Sequence, residues 1–581
     1  MKMKINLLLF VIGLFGLCKY SEGFNIDMKS ISGFNNNNNS NLIFKSIEKE
    51  YYYEKLIIEG YIPTKINGTL FRNGFGKFEG HEFKFNHLFD SLALILKFDI
   101  DDGNVYFQSR LMNSKYYNQS KYEMPLYRTL GGLSPNMTHK QEIESKLHFM
   151  HDNLNANIVL IGDNLVAVSD LAGDIMINMD TLEVMGNYNF INQEKLNIIT
   201  SAHPQEWSVN KNLIFNYESD IMEMKYKFYF INTSEPLKNG QTYTKKYFYE
   251  LKTDHFSYVH SFSLTRKYLI FIEYPVYWNI DEIINSVVIL PSIKWMDNIS
   301  TKIHIIDLSD TESEIITLET KPFFSFHHIN AFDFLDSDSD MDNIFLELIT
   351  YENASILDYF YMDNLLNLNS NKIPGGNYSK LIINLNKDKQ SQKEQHKNNK
   401  QKEKENIELI TEVFIKELIE MPSVNPIFKG LPYKYFYSIT DTGKIIKVNI
   451  ITGEILYWSN NYDIPTEPIF IPYNKSYKNI NMFDFDFKIN FDNISKSKGD
   501  LTFCKDRICN NNDYNCIPDY IWDMNELDLD FEEDNGIIVS VVLDVNKEKS
   551  YLVFLDAKTM KELAKAYIST HIPFTCHGFF K

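Results

Sequence analysis

The sequence predicts an all-β chain, and the form of its repeats predicts a β-propeller. Strand text dominates. NANIVLIGDNLVAVSD (155–170), KYLIFIEYPVYW (267–278), NGIIVSVVLDV (535–545) and KSYLVFLDA (549–557) are short β-branched and aromatic runs punctuated by Asp, Asn and Gly. Long amphipathic helices are few. A unit also recurs: a strand ends in Asp or Asn, a short turn carries Thr and then Glu or Lys, and another strand follows. It is seen in MDTLEVMGNY (179–188), KVNIITGEILYW (447–458) and DAKTMKELAKAYI (556–568). Repeated strand–turn–strand units are the material of propeller blades.

From the N-terminus, Lys2 and Lys4 precede an apolar run, Ile5–Cys18, followed by the small residues Ser21 and Gly23. Residues 1–23 are expected to be a signal peptide directing the chain into the secretory pathway, for secretion or for delivery to an organelle such as a plastid. The run is short for a membrane span, and no later segment is a better candidate. Residues 24–50, with NNNNNS, are expected to be a low-complexity, disordered segment. Residues 51–581 then form one domain with two insertions, at about 385–408 and 473–532, where charge or Asn/Asp runs interrupt the strand rhythm. Sequons for N-glycosylation are numerous, but Asn is so abundant that chance produces many of them.

The formal net charge of -19 repels phosphate backbones. The one basic run, Lys387–Asn406, is mixed with Glu and Gln, lacks aromatic residues, and reads as a solvated loop. Nucleic acid is therefore not an expected partner. Of five cysteines, Cys18 lies in the leader and Cys504, Cys509 and Cys516 cluster in the second insertion. Without a Cys-x-x-Cys pair this cluster suggests a local disulfide rather than zinc.

Four histidine-bearing stretches stand out among 14 histidines: SAHPQEW (His203), SYVHSFSLT (His260), FHHINAF (His327 and His328) and IPFTCHGFF (His577). Their long spacings match no local metal motif. Together with GTLFRNGFGKFE, HLFDSLALILKFDIDDG, TEPIFIP and EEDNG, all in order along the chain, they resemble the carotenoid cleavage oxygenase family, especially its animal-type branch. The resemblance runs from about Tyr51 to Lys581 outside the insertions.

The resemblance implies a seven-bladed β-propeller, with a cap of loops and short helices over an axis that carries one Fe(2+) held by His203, His260, His327 and His577. In the family the third ligand stands three residues before the Asn of His-x-x-Asn, which selects His327; successive strand residues point to opposite faces, so His328 faces away. Imidazole suits divalent iron. Second-shell acids that orient such rings are implied at Glu420, Glu467 and Asp170. The last stands where the family has Glu. Asp is one methylene shorter, so a longer or water-mediated bond to His260 is expected, with weaker iron affinity or reactivity.

Other departures are Phe89-Asp90-Ser91 for Phe-Asp-Gly, Asn73-Gly74-Phe75-Gly76 for Asn-Gly-Pro-Gly, and the absence of any Cys between Met112 and Asp152, which excludes palmitoyl anchoring there. The implied activity is cleavage of a conjugated C=C bond of a carotenoid or apocarotenoid, with O2 and a lipophilic polyene as partners. Retinoid-ester isomerohydrolysis, and an inactive lipid-binding scaffold, are the alternatives. Residues Asp281–Met296, rich in Ile, Val and Leu, could form a membrane-facing patch or ordinary packing.

Overall fold

A computed structural model of the chain describes residues 40–581, except 149–150, 172, 192–196, 236–241, 311–312, 336–340, 367–374, 387–406, 412–414 and 474–531. The expected signal peptide, most of both insertions, Cys504, Cys509, Cys516 and the sequons at Asn474 and Asn493 lie outside the described residues.

The chain is mostly β. Among the described residues, seven antiparallel sheets have four or more strands. The recurrent turn explains much of their regularity. In each copy the Asn or Asp side chain closes the turn on backbone N–H groups ahead: Asn178 Oδ1 accepts from Asp180 and Thr181, Asn449 Oδ1 from Ile451 and Thr452, and Asp556 Oδ1 from Thr559. The fifth residue then adopts a left-handed backbone, as Leu182 (φ 57°), Gly453 (φ 71°) and Met560 (φ 56°), and donates its N–H back to the carbonyl of that Asn or Asp.

One strand from each of the seven sheets lies beside one from the next. Gln205–Trp207 touches Ser263–Leu264, which touches His328–Leu335, then Ile419–Val424, Ile469–Pro472 and Thr575–Phe580. Thr575–Phe580 in turn lies against Asn157–Ile161. Between the ends of this series the Asn157 side chain donates to Ala202 O at 2.8 Å. The chain termini are joined within sheets. Thr575–Phe580 pairs with Gly68–Lys77, and Ile57–Gly60 pairs with Glu562–Tyr567. The central strands, such as Gly536–Asp544 and Tyr268–Glu273, are buried along almost their whole length, because each sheet is covered on both faces. Leu94, Ile270, Leu346 and Val541 belong to the apolar layers between sheets.

One expectation changes, and one pair of alternatives narrows. The disordered segment 24–50 does not extend to residue 50: Ser40–Phe44 forms a 3-10 turn, Ile43 O accepts from Phe574 N, and Leu42, Ile43 and Ile47 are buried. Three apolar side chains among the last eleven residues are enough to dock that end. In the 281–296 stretch, Ile283, Ile289 and Leu290 are buried in the main core, with Ile293 and Trp295 packed against it; Ile284 and Met296 are exposed. Most of its apolar surface is therefore spent on packing. Among the described residues no helix is long and apolar enough to cross a membrane.

Candidate metal centre

Each of the four histidines sits on one of these neighbouring strands or close to one. His203 lies between Asn197–Thr200 and Gln205–Trp207, His260 just before Ser263–Leu264, His327 just before His328–Leu335, and His577 within Thr575–Phe580. Residues nearly 400 positions apart in sequence thus converge, and one ligand atom from each lies within 4.8 Å of the others. His203 Nε2 is 3.0 Å from His260 Nε2, and His327 Nε2 is 3.1 Å from His577 Nε2. Neighbouring rings stand nearly edge-on to one another, at 70° to 84°.

The opposite nitrogens explain why the Nε2 atoms point inward. His260 Nδ1 is 2.7 Å from Asp170 Oδ2, His327 Nδ1 is 2.6 Å from Glu420 Oε2, and His577 Nδ1 is 2.7 Å from Glu467 Oε1. With Nδ1 donating to a carboxylate, Nε2 carries the free lone pair. The acids are held in turn. Tyr351 Oη donates to Glu420 at 2.5 Å, and Met421 N donates to its other oxygen at 2.8 Å. The buried Arg72 guanidinium donates to Glu467 Oε2 at 2.7 Å. Tyr258 Oη and the Ala202 N–H donate to Asp170 at 2.8 and 3.1 Å.

Asp170 thus bonds His260 directly. The expected longer or water-mediated bond is not what forms. The backbone beside it is tied to the strand before His203: Thr200 N donates to Asp170 O, and Leu171 bridges to Ile199. His328, the other half of the pair, points away. Its ring nitrogens lie 2.8 Å from Ser263 Oγ and 2.9 Å from Tyr274 Oη, and burial pushes it down to about 3, so it stays neutral.

Electrostatics fit a cation. Burial, then the other three imidazoles, hold His203 well below the usual histidine range. Burial also lowers His577, against the pull of Glu467. Burial alone would lower His327, but Glu420 beside it raises it. Burial would raise Glu420 and Glu467; His327 lowers the first, and His577 and Arg72 lower the second. Three carboxylates and one guanidinium leave two uncompensated negative charges, which a divalent ion balances. The Nε2 atoms of His203 and His260, and those of His327 and His577, are close enough for one ion to reach both of each pair through metal–imidazole bonds of about 2.0–2.1 Å. The donor set of neutral nitrogens with an acid shell suits a first-row transition metal.

Sequence reasoning named the four imidazoles and three acids but missed their supports: Arg72, Tyr258 and Tyr351. Arg72 was visible within the GTLFRNGFG text, but its partner is 395 residues away. Also missed was a row of aromatic rings. Phe326 lies 5.6 Å from His260 and 6.2 Å from Phe360, Phe360 lies 5.0 Å from Phe89, and Phe89 lies 6.0 Å from Phe75, centroid to centroid.

A family profile described as retinal pigment epithelial membrane protein matches residues 44–500 and 505–581. The chain belongs to this family. Among its relatives, the β,β-carotene 15,15'-dioxygenase of Gallus gallus is 27% identical over 570 residues, covering 90% of this chain and 95% of that protein. The carotenoid isomerooxygenase of Galleria mellonella is 25% identical over 443 residues, covering 71% and 81%. A mutant apocarotenoid oxygenase of Synechocystis has the same fold, with TM-score 0.70 at 19% identity, covering 94% of this chain and 98% of that one. A further structure of that oxygenase is cobalt-substituted. Membership of the retinal pigment epithelial membrane protein family accounts for all four histidine stretches falling inside the matched residues.

Proposed function

We propose that the protein is a non-heme iron(II) dioxygenase that cleaves a conjugated C=C bond of a carotenoid or apocarotenoid into two carbonyl products. The observation that carries this is the convergence of four Nε2 atoms, three of them backed by carboxylates. We take the seven sheets as blades of one propeller, the metal as lying on its axis, and the short helices Ile356–Tyr359 and Met362–Leu366 as part of a cap. The relatives named as carotene dioxygenases support the reaction class.

His203, His260, His327 and His577 would hold the iron, which would supply a redox-active dication able to activate dioxygen. The chain's own residues do the rest. Asp170, Glu420 and Glu467 keep the Nδ1 protons on three rings and so keep Nε2 available. Arg72 and Tyr351 hold Glu467 and Glu420 in register. Phe326, Phe360 and Phe89 offer an apolar, flat-faced approach that excludes water and suits a polyene. With no acid–base side chain needed at the reacting bond, regioselectivity comes from where this wall stops the polyene. In this reading the 281–296 stretch offers only the edge around Ile284 and Met296 to a lipid surface, and the N-terminal leader delivers the chain to the secretory pathway.

The test is the iron content of anaerobically purified protein beside a His327→Ala variant, followed by incubation with carotenoids and product analysis. About one iron per chain, lost in the variant, with two carbonyl products formed by the wild type, is expected. A folded wild type that takes up no iron would overturn the reading in favour of a scaffold. Isomerised alcohol without oxygen uptake would turn it to isomerohydrolysis.

A further inference from the structure

A cavity of about 650 Å³ opens beside the docked N-terminal segment, and none of its lining residues belongs to the metal centre. One wall is the stretch from Asn41 to Glu48; the other is formed by Lys77 and Glu79, with Leu366 beside them. The walls are fixed to each other. Ile47 N donates to Gly76 O at 2.9 Å, and Phe78 N donates to Ser46 Oγ at 3.0 Å. The Phe44 and Phe78 rings meet edge-on, 6.4 Å between centroids. On its far side the N-terminal segment is held by Phe574 N, which donates to Ile43 O at 3.0 Å. The cavity is therefore a feature of tied elements and not slack between loops.

Its lining is amphiphilic. Leu42 and Ile47, both buried, and Phe44 present apolar surface, and Leu366 adds an apolar side chain that is 39% exposed. Four charged side chains stand with them. Lys45 pairs with Glu48 at 3.6 Å. Lys77 and Glu79 flank Phe78, which is buried in the apolar cluster with Phe75, Leu88 and Met362. Neither Lys77 nor Glu79 has a side-chain hydrogen bond or ion pair among the described residues, and Lys84, opposite Glu79 in the register, forms none with it. The cavity thus offers apolar surface, one open cation and one open anion. A fatty acid would meet Lys77 but be opposed by Glu79, and an alkylammonium would meet the reverse conflict. A ligand carrying both charges satisfies both side chains. The volume lies within the range of about 300–1,000 Å³ typical of small-molecule sites.

We propose that this cavity binds a single-chain zwitterionic amphiphile of the phosphocholine type. Lys77 meets the phosphate, Glu79 faces the quaternary ammonium, and the chain lies on Leu42, Phe44, Ile47 and Leu366. A quaternary ammonium has no N–H to donate, so a carboxylate open to water suits it: Glu79 attracts it by charge and keeps its own hydration. Free phosphocholine shares the head group, but the apolar lining gains only from a ligand with a chain. This site is independent of the metal-centre reading, since no metal ligand and no acid behind one lines it.

Calorimetric titration of the full chain with dodecylphosphocholine, kept below its micelle concentration, tests this. Saturable binding of about one molecule per chain is expected, the same with and without metal. Lys77→Met should weaken it about two- to fivefold, the worth of an ion pair open to water, and Glu79→Gln by a similar factor. Both losses should shrink with added salt. Leu366→Ser, at an exposed position that the fold does not need, should weaken the amphiphile about fivefold and leave phosphocholine alone unaffected. Phosphocholine alone should bind at least about a hundredfold more weakly than dodecylphosphocholine. Decanoate and dodecyltrimethylammonium, each with one charge, should bind more weakly than the zwitterion to wild type, and that preference should vanish in the Lys77→Met, Glu79→Gln double variant. Absence of saturable binding overturns the proposal, as do wild-type affinity in both Lys77→Met and Glu79→Gln, or a zwitterion that binds no better than the singly charged chains.

Discussion

His260, His327 and His577 each have a carboxylate within 2.7 Å of Nδ1, while His203 has none and is the least buried of the four. The braced rings owe their positions to three different sheets, and each acid is itself held by a tyrosine, an arginine or a backbone N–H. His203 owes its position to its backbone alone, where its N–H bonds Ser201 Oγ and Gln205 bonds its carbonyl. The contrast separates two ways of placing a ligand: a network spanning the chain, which is rigid and costly to break, and a local turn, which can adapt.

The largest effect should come from removing a ligand. His327→Ala and His203→Ala should each lower metal affinity at least about a hundredfold. Their effects on the metal-free protein should differ. His327→Ala leaves buried Glu420 without its imidazole, a loss of about 1–3 kcal/mol, whereas His203→Ala strands no charged group and should leave the melting temperature nearly unchanged. Thermal melts of both metal-free variants check this. Equal losses would break the distinction between braced and open ligands.

Next is Glu467→Gln. It weakens the hold on His577 and leaves Arg72, 1% exposed, without its ion pair. Metal affinity should fall about 10- to 100-fold, and the metal-free protein should lose about 3–5 kcal/mol, as for other broken buried pairs. Burial would raise Glu467, but His577 and Arg72 hold it below the usual carboxylate range. Its native pKa thus lies below its unfolded one. The stability it contributes is full above the unfolded value, about 4.3, and is lost as pH falls through the native value. The melting-temperature gap between wild type and Glu467→Gln should therefore be full at neutral pH and close under acid. A gap that widens in acid would contradict the assignment.

Smaller again is the effect at Asp170. Asp170→Asn replaces an acceptor-only carboxylate with an amide and should cost metal affinity about tenfold. Asp170→Glu, which restores the residue type of the resemblance, should bring no gain, because Asp170 already bonds His260 directly at 2.7 Å. A clear gain in Co(II) affinity for Asp170→Glu would show that the shorter side chain does impair the site.

The sequence carried more of the site than of its surroundings. The four histidine stretches and the acid positions were legible because each sits in a short text whose order along the chain is itself informative. The turn units at Asn178, Asn449 and Asp556 were legible because one side chain closes each turn locally. What could not be read was anything set by distant pairing. The Arg72–Glu467 bond spans 395 residues, and the docking of Gly430 beside Ser208 depends on Asn330 reaching across sheets. The 281–296 stretch shows the same limit in reverse. Its apolar text is equally consistent with a membrane patch or a core, and only the neighbours of Ile283, Ile289 and Leu290 decide. The direct Asp170–His260 bond was missed because side-chain length is visible in sequence and backbone position is not.

Tyr258→Phe is the finest probe of the contrast. Tyr258 Oη and His260 Nδ1 share Asp170 Oδ2, at 2.8 and 2.7 Å, while the Ala202 N–H takes the other oxygen. Deleting the hydroxyl removes one charge-assisted bond, worth about 1.5–3 kcal/mol when buried, but leaves His260 bonded and the ring of Tyr258 still packed on Phe324 and Trp278. Burial, then Asp170, hold the phenol protonated far above neutral pH, so it acts only as a donor. The expected outcome is a two- to fivefold loss of Co(II) affinity with little change in fold. The same loss should be absent when Asp170→Asn is already present, because the two changes act through one carboxylate. Additive losses in that double variant would mean that Tyr258 acts on the centre by packing, and that Asp170 needs no help to hold His260.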